Sequence, residues 1–426
     1  MAIKLAVGGE FFDPLRESGS YYVDKTGLIR DLVAANNTVS LFTRPRRFGK
    51  TLTMSMIHSF FDITRDSREV FKGLDVAAHE DFCKAWMNQY PVVFITLKDA
   101  EGATFDLAYS MLKSTISDVC IRFSDLGNSE KTNIKDRLTF DRLPAKTASE
   151  EEVRKSLVTI MRMMQAVYGK PVILLIDEYD VPLAKARDHG FYPQMLDVIR
   201  GLLSTSLKSN DYLKFAVITG CLRIAKESIF TGVNNFKSYS VVDEAFSQYF
   251  GFTEKEVNDL LAAANETQYA ETIREWYDGY IFGNTRVYCP WDVVNFVADA
   301  KYSEHFEPKN YWKNSSGNGI IREFAEDERF QVADKFETLL NGGMITQTVS
   351  DALTYETLQL TEDNLWSVLV MTGYLTKSDP GQTGNTVALK IPNREISAIF
   401  EETVMSLFAD TVDTGKVRSL TEALWN

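Results

Sequence analysis

Four short runs, TVSLFT (38–43), PVVFITL (91–97), PVILLID (171–177) and LKFAVITG (213–220), constrain the architecture more than anything else in the chain. Each is mostly apolar and rich in β-branched or aromatic side chains. A strand with one wet face alternates apolar and polar positions. A run without alternation is covered on both faces, as in a parallel sheet flanked by helices. Helical stretches separate the runs, so the first half of the chain is predicted to be α/β. Between the second and third runs, Ser149 and Glu152 form a capping box, and an amphipathic stretch follows to Tyr168 before Gly169 stops it.

Near residue 246 the pattern changes. Thr253 and Glu256 make a second capping box at the head of FTEKEVNDLLAAA, and helices dominate to about residue 345. The remainder reads helix, hairpin, helix: Thr361 caps LWSVLVMTG, the turn DPGQTG separates LTKS from VALKIP, and NREISAIFEETVMSLF closes. Such an end is compatible with a winged helix and hence with DNA. However, NREISAIFEETV carries one arginine against three glutamates, which disfavours phosphate contact and favours packing against protein.

The 426 residues carry a formal charge of −13, which excludes a surface broadly given over to nucleic acid or anionic membrane, though not a local basic patch. Cys83, Cys120, Cys221 and Cys289 form no C-x-x-C pair, and His58, His79, His189 and His305 show no metal-ligand spacing. No apolar run suits a signal peptide or a membrane span, so a cytoplasmic, reducing setting is the simplest expectation.

The chemistry concentrates in FTRPRRFGKTLT (42–53), where the pattern G-x-x-x-x-G-K-[ST] calls for a glycine and Arg44 stands instead. A phosphate loop follows a buried strand and opens a helix, so that backbone N–H groups and the helix dipole meet the anion. SLFT before and TLTMSMIHSFF after supply that setting, whereas a bare G-K-T would equally suit a basic surface turn. In the phosphate reading Lys50 reaches the β- and γ-phosphates and the Thr51 hydroxyl ligates Mg²⁺. VILLIDEYD (172–180) ends an apolar strand in two acids. Asp177 fits the Mg²⁺-coordinating acid and Glu178 a base that polarises the attacking water, although strand ends also carry acids as helix caps. In KFAVITGCLRIAKESIF (214–230), Thr219 at the strand end is placed to sense the γ-phosphate. Arg223 either stabilises the transferred phosphoryl group or is an ordinary loop arginine.

Together, YYVDKTGLIRDLV, SLFTRPRRFGKTLTMSM, ILLIDEYDVPL and TGCLRIAKESIFTGVNNFKSYSV resemble the bacterial AAA-ATPase-like family, whose members commonly end in a PD-(D/E)XK nuclease domain. EWYDGYIFG (275–283), VYCPWDVVNFV (287–297), YWKNSSGN (311–318), MTGYLT (371–376) and LKIPNREI (389–396) extend the resemblance over nearly the whole chain.

The resemblance implies ATP and Mg²⁺ as cofactors and a P-loop NTPase sheet of the additional-strand type, followed by α-rich domains with a winged-helix-like end. The expected division is an ATPase domain over 1–245, a helical lid-like domain over 246–345 and a helix–hairpin–helix domain over 346–426. The family loop itself reads R-P-R-R-F-G-K-T, so Arg44 departs only from the general motif. Arg44, Pro45, Arg46, Arg47, Phe48, Gly49, Lys50, Thr51 and Leu52 are the expected nucleotide contacts, with at least one arginine reaching the phosphates or pairing with a nearby acid. Tyr22 to Thr26 sits where related ATPases contact adenine, with Asp24 the candidate. Alternatively, Asp24 or Thr26 caps the helix GLIRDLV.

A nuclease core needs an E-x-K on a strand, and only Glu307-Pro308-Lys309 offers one, with no apolar strand around it. The nuclease module is therefore expected to be missing, and any nuclease activity to belong to a longer parent chain. The expected activity is Mg²⁺-dependent ATP hydrolysis coupled to a C-terminal or partner effector. The alternatives are a slow-turnover nucleotide switch or scaffold, or the motor part of a DNA-acting nuclease. An arginine from a neighbour in an oligomer is the alternative to Arg223. WYDGYIFG reads as a lid over the nucleotide or as core packing around a turn, and Ser316–Gly319 as a loop.

Overall fold

The computed structural model describes residues 3–223, 230, 235–302, 305–312, 332–351, 353, 361–382 and 384–411, with side chains of the last helix described to Glu402. The remainder of the KESIF segment beyond Arg223, the Ser316–Gly319 loop and the residues after 411 lie outside them.

All four apolar runs are strands: β1 (Val39–Thr43), β2 (Val92–Thr96), β3 (Val172–Asp177) and β4 (Leu213–Gly220). A fifth, β5 (Phe236–Tyr239), completes a sheet in the order β2-β3-β4-β1-β5, parallel throughout. Every residue of β1 and β3 is buried, which is why they lack alternation. Because the strands are parallel, their carboxyl ends share one edge. Phe42 lies opposite Thr219 and Thr43 opposite Gly220, while Ile176 lies opposite Ile218. That register brings the loop after β1, the acids after β3 and the end of β4 together.

The Ser149–Glu152 capping box is present, but the helix it opens ends at Arg154, and a second helix runs Ser156–Tyr168. At the break the Thr205 hydroxyl lies 2.7 Å from the Arg154 carbonyl, so another helix packs against the junction. Gly169 stops the second helix in the left-handed region at φ +71°. The segment between β2 and β3 also holds the helices Phe105–Arg122 and Ile134–Arg142, headed by the caps Thr104 and Asn133.

Beyond residue 245 the chain is mostly helical. Thr253 and Glu256 form the expected capping box, and the helices Glu254–Ala264, Ala270–Tyr277 and Pro290–Ala300 follow. They enclose their own core of residues such as Leu260, Leu261, Ile273, Tyr277, Val293 and Phe296, against which Ile3, Leu5 and Tyr21 from the start of the chain also pack. Tyr277 and Tyr280 of WYDGYIFG are buried, Tyr277 in this second core and Tyr280 in the main one, so the motif is core packing around a hairpin, β6 (Tyr280–Phe282) and β7 (Thr285–Val287).

The C-terminal segment contains the helix Ala333–Leu340, then β8 (Ile345–Thr348), the Thr361-capped helix Glu362–Thr372, β9 (Thr376–Lys377), β10 (Thr386–Lys390) and the helix Arg394–Thr411. The anticipated hairpin is β9–β10, and β8 adds a third antiparallel strand in the order β8-β10-β9. Glu307–Lys309 lie in irregular chain, not on a strand.

Candidate nucleotide site

The loop Arg44–Gly49 leaves β1 and turns into the helix Lys50–Phe61. Arg47 and Gly49 take positive φ (+71° and +78°), which lets the chain curl tightly enough for its own lysine to close it. Lys50 Nζ donates to the carbonyls of Arg44 (3.0 Å) and Pro45 (2.9 Å).

The Arg44 side chain points the other way. It is fully buried, and its guanidinium donates through one nitrogen to the carbonyls of Thr43 and Tyr239, both at 2.8 Å. It also lies over the rings of Phe250 (4.8 Å) and Phe282 (5.5 Å). Burial pulls its pKa down to about 9, against the favourable field of Asp243. Arg44 therefore braces β1 to β5 from behind, and neither it nor Pro45 lines the cavity in front of the loop. The expectation of a phosphate-facing Arg44 is corrected accordingly: a glycine could not make the bridge to Tyr239. Arg46, Arg47, Phe48, Gly49, Lys50, Thr51 and Leu52 do line the cavity. Arg47 stacks on Trp291 at 4.0 Å, and Arg46 sits in the fields of Glu178 and Asp180, beside the Cys221 thiol.

Asp177, fully buried, receives hydroxyl hydrogen bonds on both oxygens: Thr51 donates to Oδ2 at 2.7 Å and Thr219 to Oδ1. Thr219 is thus directed to the acid, and neither it nor Asp177 is a wall of the cavity, the aspartate lying behind Thr51. A carboxylate and a hydroxyl in contact at a helix start are hard oxygen donors of the kind Mg²⁺ takes, the rest of its shell coming from phosphate and water. Glu178, the next residue, adopts φ +53°, an uncommon region for a side-chain-bearing residue, and its half-buried carboxyl lines the cavity. Burial raises its pKa, the charge of Asp177 raises it further, and Lys50 opposes both.

The last two residues of IDEYD hold the neighbouring strand end. Tyr179 donates to the Leu222 carbonyl at 2.8 Å, while Asp180 accepts from the amides of Cys221 and Leu222, both at 2.9 Å. Between them lies Gly220, where a Cβ would fall 2.6 Å from Asp180 Oδ1 and 2.7 Å from the Tyr179 ring. Asp180 and Cys221, whose Sγ is 3.7 Å from Lys50 Nζ, both line the cavity and were not singled out from sequence. Their roles depend on β4 lying beside β3, which no local pattern announces. Arg223 points away: it pairs with Asp351 at 3.0 Å and is not a cavity wall.

Asp24 is likewise turned to structure. Its carboxylate accepts from Thr26 N (2.9 Å), Thr26 Oγ1 (2.7 Å) and Asp75 N (2.7 Å), so it shapes the turn before the helix Gly27–Ala35 and does not line the cavity. Its neighbours Tyr22, Val23 and Lys25 do line it. Lys25 is held by Glu256 (2.6 Å) and the Gln248 carbonyl (2.8 Å), which ties this turn to the capping box of the helix Glu254–Ala264.

The cavity measures about 520 Å³, within the range of small-molecule sites. Its walls combine charged groups, from the loop, Glu178 and Asp180, with apolar ones such as Leu5, Tyr21, Phe252 and Leu260. Charged groups at a helix start together with apolar surface suit a nucleotide, which carries both phosphates and a base.

A cavity at the carboxyl edge of a parallel sheet, with a G-K-T loop against an aspartate, defines a P-loop fold. A family model described as "Predicted AAA-ATPase" (AAA-ATPase-like) matches residues 6–230, more than half of the chain, and the chain belongs to that family. Nucleotide binding and ATP hydrolysis are the general role of the family. An uncharacterized protein encoded in the vnfD 5′ region of Azotobacter chroococcum mcd 1 is 26% identical over 414 residues, 94% of this chain and 70% of that protein. The Walker-type ATPase PABY2304 of Pyrococcus abyssi aligns over 89% of this chain and 96% of its own, at 15% identity and a TM-score of 0.44. No described helix is long and apolar enough to cross a membrane.

Proposed function

We propose that the chain binds ATP with Mg²⁺ in this cavity and hydrolyses the β–γ phosphoanhydride bond. The observation that carries the reading is the continuous set Thr51, Asp177 and Glu178: a metal-type oxygen pair with a cavity-facing carboxyl one residue on. Lys50 exchanges the loop carbonyls for phosphate oxygens, and Thr51 with Asp177 would hold the metal, which when bound neutralises charge developing on the phosphates. Thr219 keeps the Asp177 carboxylate oriented. Glu178 orients a water whose oxygen bonds to the γ-phosphorus as the bond to the bridging oxygen breaks, giving ADP and inorganic phosphate. Glu178 accepts the proton, and its raised pKa makes it a better base than an exposed glutamate.

The strand β4 between β1 and β3 supports assignment to the additional-strand class. The three-strand sheet β8-β10-β9 with its flanking helices supports a winged-helix-like end, and we keep the division 1–245, 246–345 and 346–426 on that basis. Residues 365–371 are all buried, so the helix between β8 and β9 offers no face to a DNA groove, and a motor acting on DNA is disfavoured. A slow switch coupled to an effector remains the second reading. It is favoured by Arg223 being engaged with Asp351 and not with the cavity, so that this arginine takes part only after a rearrangement. Steady-state ATP turnover of the native chain and of Glu178→Gln, with binding of an ATP analogue measured alongside, tests the proposal. Turnover lost with binding retained is the expected result; equal, near-zero rates in both would sink the enzyme reading and leave the switch.

A further inference from the structure

The first turn of the last helix is fastened to the helices Ala270–Tyr277 and Pro290–Ala300, the second of which also lends Pro290, Trp291 and Val294 to the cavity wall. Asn393 Nδ2 donates to the Asp278 carbonyl at 2.9 Å, and Arg394 pairs with Glu275 at the surface. Glu395 turns inward instead and meets Asp292, on the helix Pro290–Ala300. Both acids are completely buried. Glu395 Oε1 accepts from the Trp312 amide at 2.8 Å. Neither oxygen of Asp292, nor Glu395 Oε2, receives a hydrogen bond from any described residue.

Three buried carboxyl oxygens without donors, on two acids facing each other, are not a stable arrangement of two anions. Desolvation and mutual repulsion both oppose the second charge, and each orphaned oxygen forfeits the hydrogen bond it would make in water. Among the charged and titratable groups around the pair, none supplies a strong donor to all three oxygens. The Arg47 guanidinium on the phosphate loop is stacked on Trp291. The Cys289 thiol, a weak donor, interacts with Asp292 but also lies 3.8 Å from the Arg47 carbonyl, and its one proton cannot serve both acids. Tyr277 and Tyr311 direct their hydroxyls to the Lys309 carbonyl and to Asp299, and the Tyr280 hydroxyl bonds to neither acid. Burial pushes the thiol and all three phenols up, so they stay neutral where the acids titrate. A single proton placed between Asp292 and Glu395 turns one acid into the donor the other lacks.

We propose that Asp292 and Glu395 hold one shared proton at neutral pH and act as a pH-sensitive joint that fixes the last helix to the helix Pro290–Ala300. Burial together with the neighbouring acid raises the proton affinity of Glu395 far above that of an exposed glutamate, as the geometry requires. The native state then binds a proton that the unfolded chain releases once pH exceeds the ordinary carboxylate range. Stability contributed by the joint is therefore full in acid and is lost as pH rises toward the folded-state pKa.

The test compares the full chain with Glu395→Gln, which donates permanently, and with the double variant Asp292→Asn/Glu395→Gln. Thermal midpoints are followed from about pH 6 to about pH 9, the window in which an exposed carboxyl is already ionised. The native chain should lose stability relative to Glu395→Gln as pH rises, with the single variant equal or more stable at the alkaline end. Infrared difference spectra of the native chain at neutral pH should show a protonated carboxyl C=O band that the double variant lacks. Parallel midpoints would mean that a buried water or cation satisfies the oxygens and would overturn the proposal. If Glu395→Gln does not fold, the infrared band of the native chain decides alone, and its absence overturns the proposal equally.

Discussion

Lys50 and Arg44 are joined through the backbone of one and the side chain of the other: the lysine ammonium sits 3.0 Å from the arginine carbonyl, while the arginine side chain leaves in the opposite direction to brace β1 against Tyr239. A single residue thus shapes the loop on its front face and anchors it on its back. Replacing Arg44 with the glycine of the general motif should weaken the protein. Two hydrogen bonds from a charged donor and the stacking on Phe250 are lost, a destabilisation of about 2–4 kcal/mol. Chemical denaturation of Arg44→Gly measures it; an unchanged midpoint would show the brace to be dispensable.

Lys50→Met should abolish detectable binding of an ATP analogue while leaving the fold intact, since the lysine contacts only loop carbonyls and the Cys221 sulfur. Equilibrium titration with a fluorescent analogue checks affinity and circular dichroism checks folding.

Gly220→Ala inserts a methyl group between Asp180 and the Tyr179 ring. Both side chains are buried and fixed by bonds to Cys221 and Leu222, so the neighbours cannot yield cheaply. A stability loss of about 1–3 kcal/mol is expected from overpacking, with a larger proportional loss of turnover because Glu178 moves with them.

Thr219→Val removes one of the two hydroxyls that orient Asp177. The Mg²⁺ concentration needed for half-maximal turnover should rise roughly tenfold, corresponding to about 1.4 kcal/mol. Binding of nucleotide without metal should change little. An unaltered Mg²⁺ dependence would mean that Thr51 alone holds the carboxylate.

The acid limb of the turnover profile should lie above the range of an exposed glutamate, because burial and Asp177 raise the pKa of Glu178. The ionised form is the base, so activity falls as pH drops through that raised value. The same shift has the opposite sign for stability: the native state holds its proton longer than the unfolded chain, so the contribution of Glu178 is lost as pH rises. Stability and activity should therefore move in opposite directions across that window, and Glu178→Gln should remove both trends.

Much of this was legible in the sequence because it is written locally. The four buried strands lack alternation, the capping boxes at Ser149 and Thr253 are four-residue patterns, and Gly49-Lys50-Thr51 carries its own context. What escaped is set by partners far along the chain. β5 is four residues with a lysine, and only pairing with β1 makes it a strand. The helix break at Lys155 has no local signal in the sequence, and the inward turn of Arg44 goes with a carbonyl on β5. Asp24, Thr219 and Arg223 were recognised as positions that matter, but each spends its polar group on a neighbour the sequence does not indicate.

The helices after residue 245 pack around the first residues of the chain, so the cavity takes walls from Leu5 and Tyr22 and also from Phe252 and Trp291. During synthesis Leu5, Tyr22, the loop and the acids after β3 all leave the ribosome well before Trp291 does. The cavity is therefore fully walled only once the helix Pro290–Ala300 has emerged, and the order of translation makes its closure a late event.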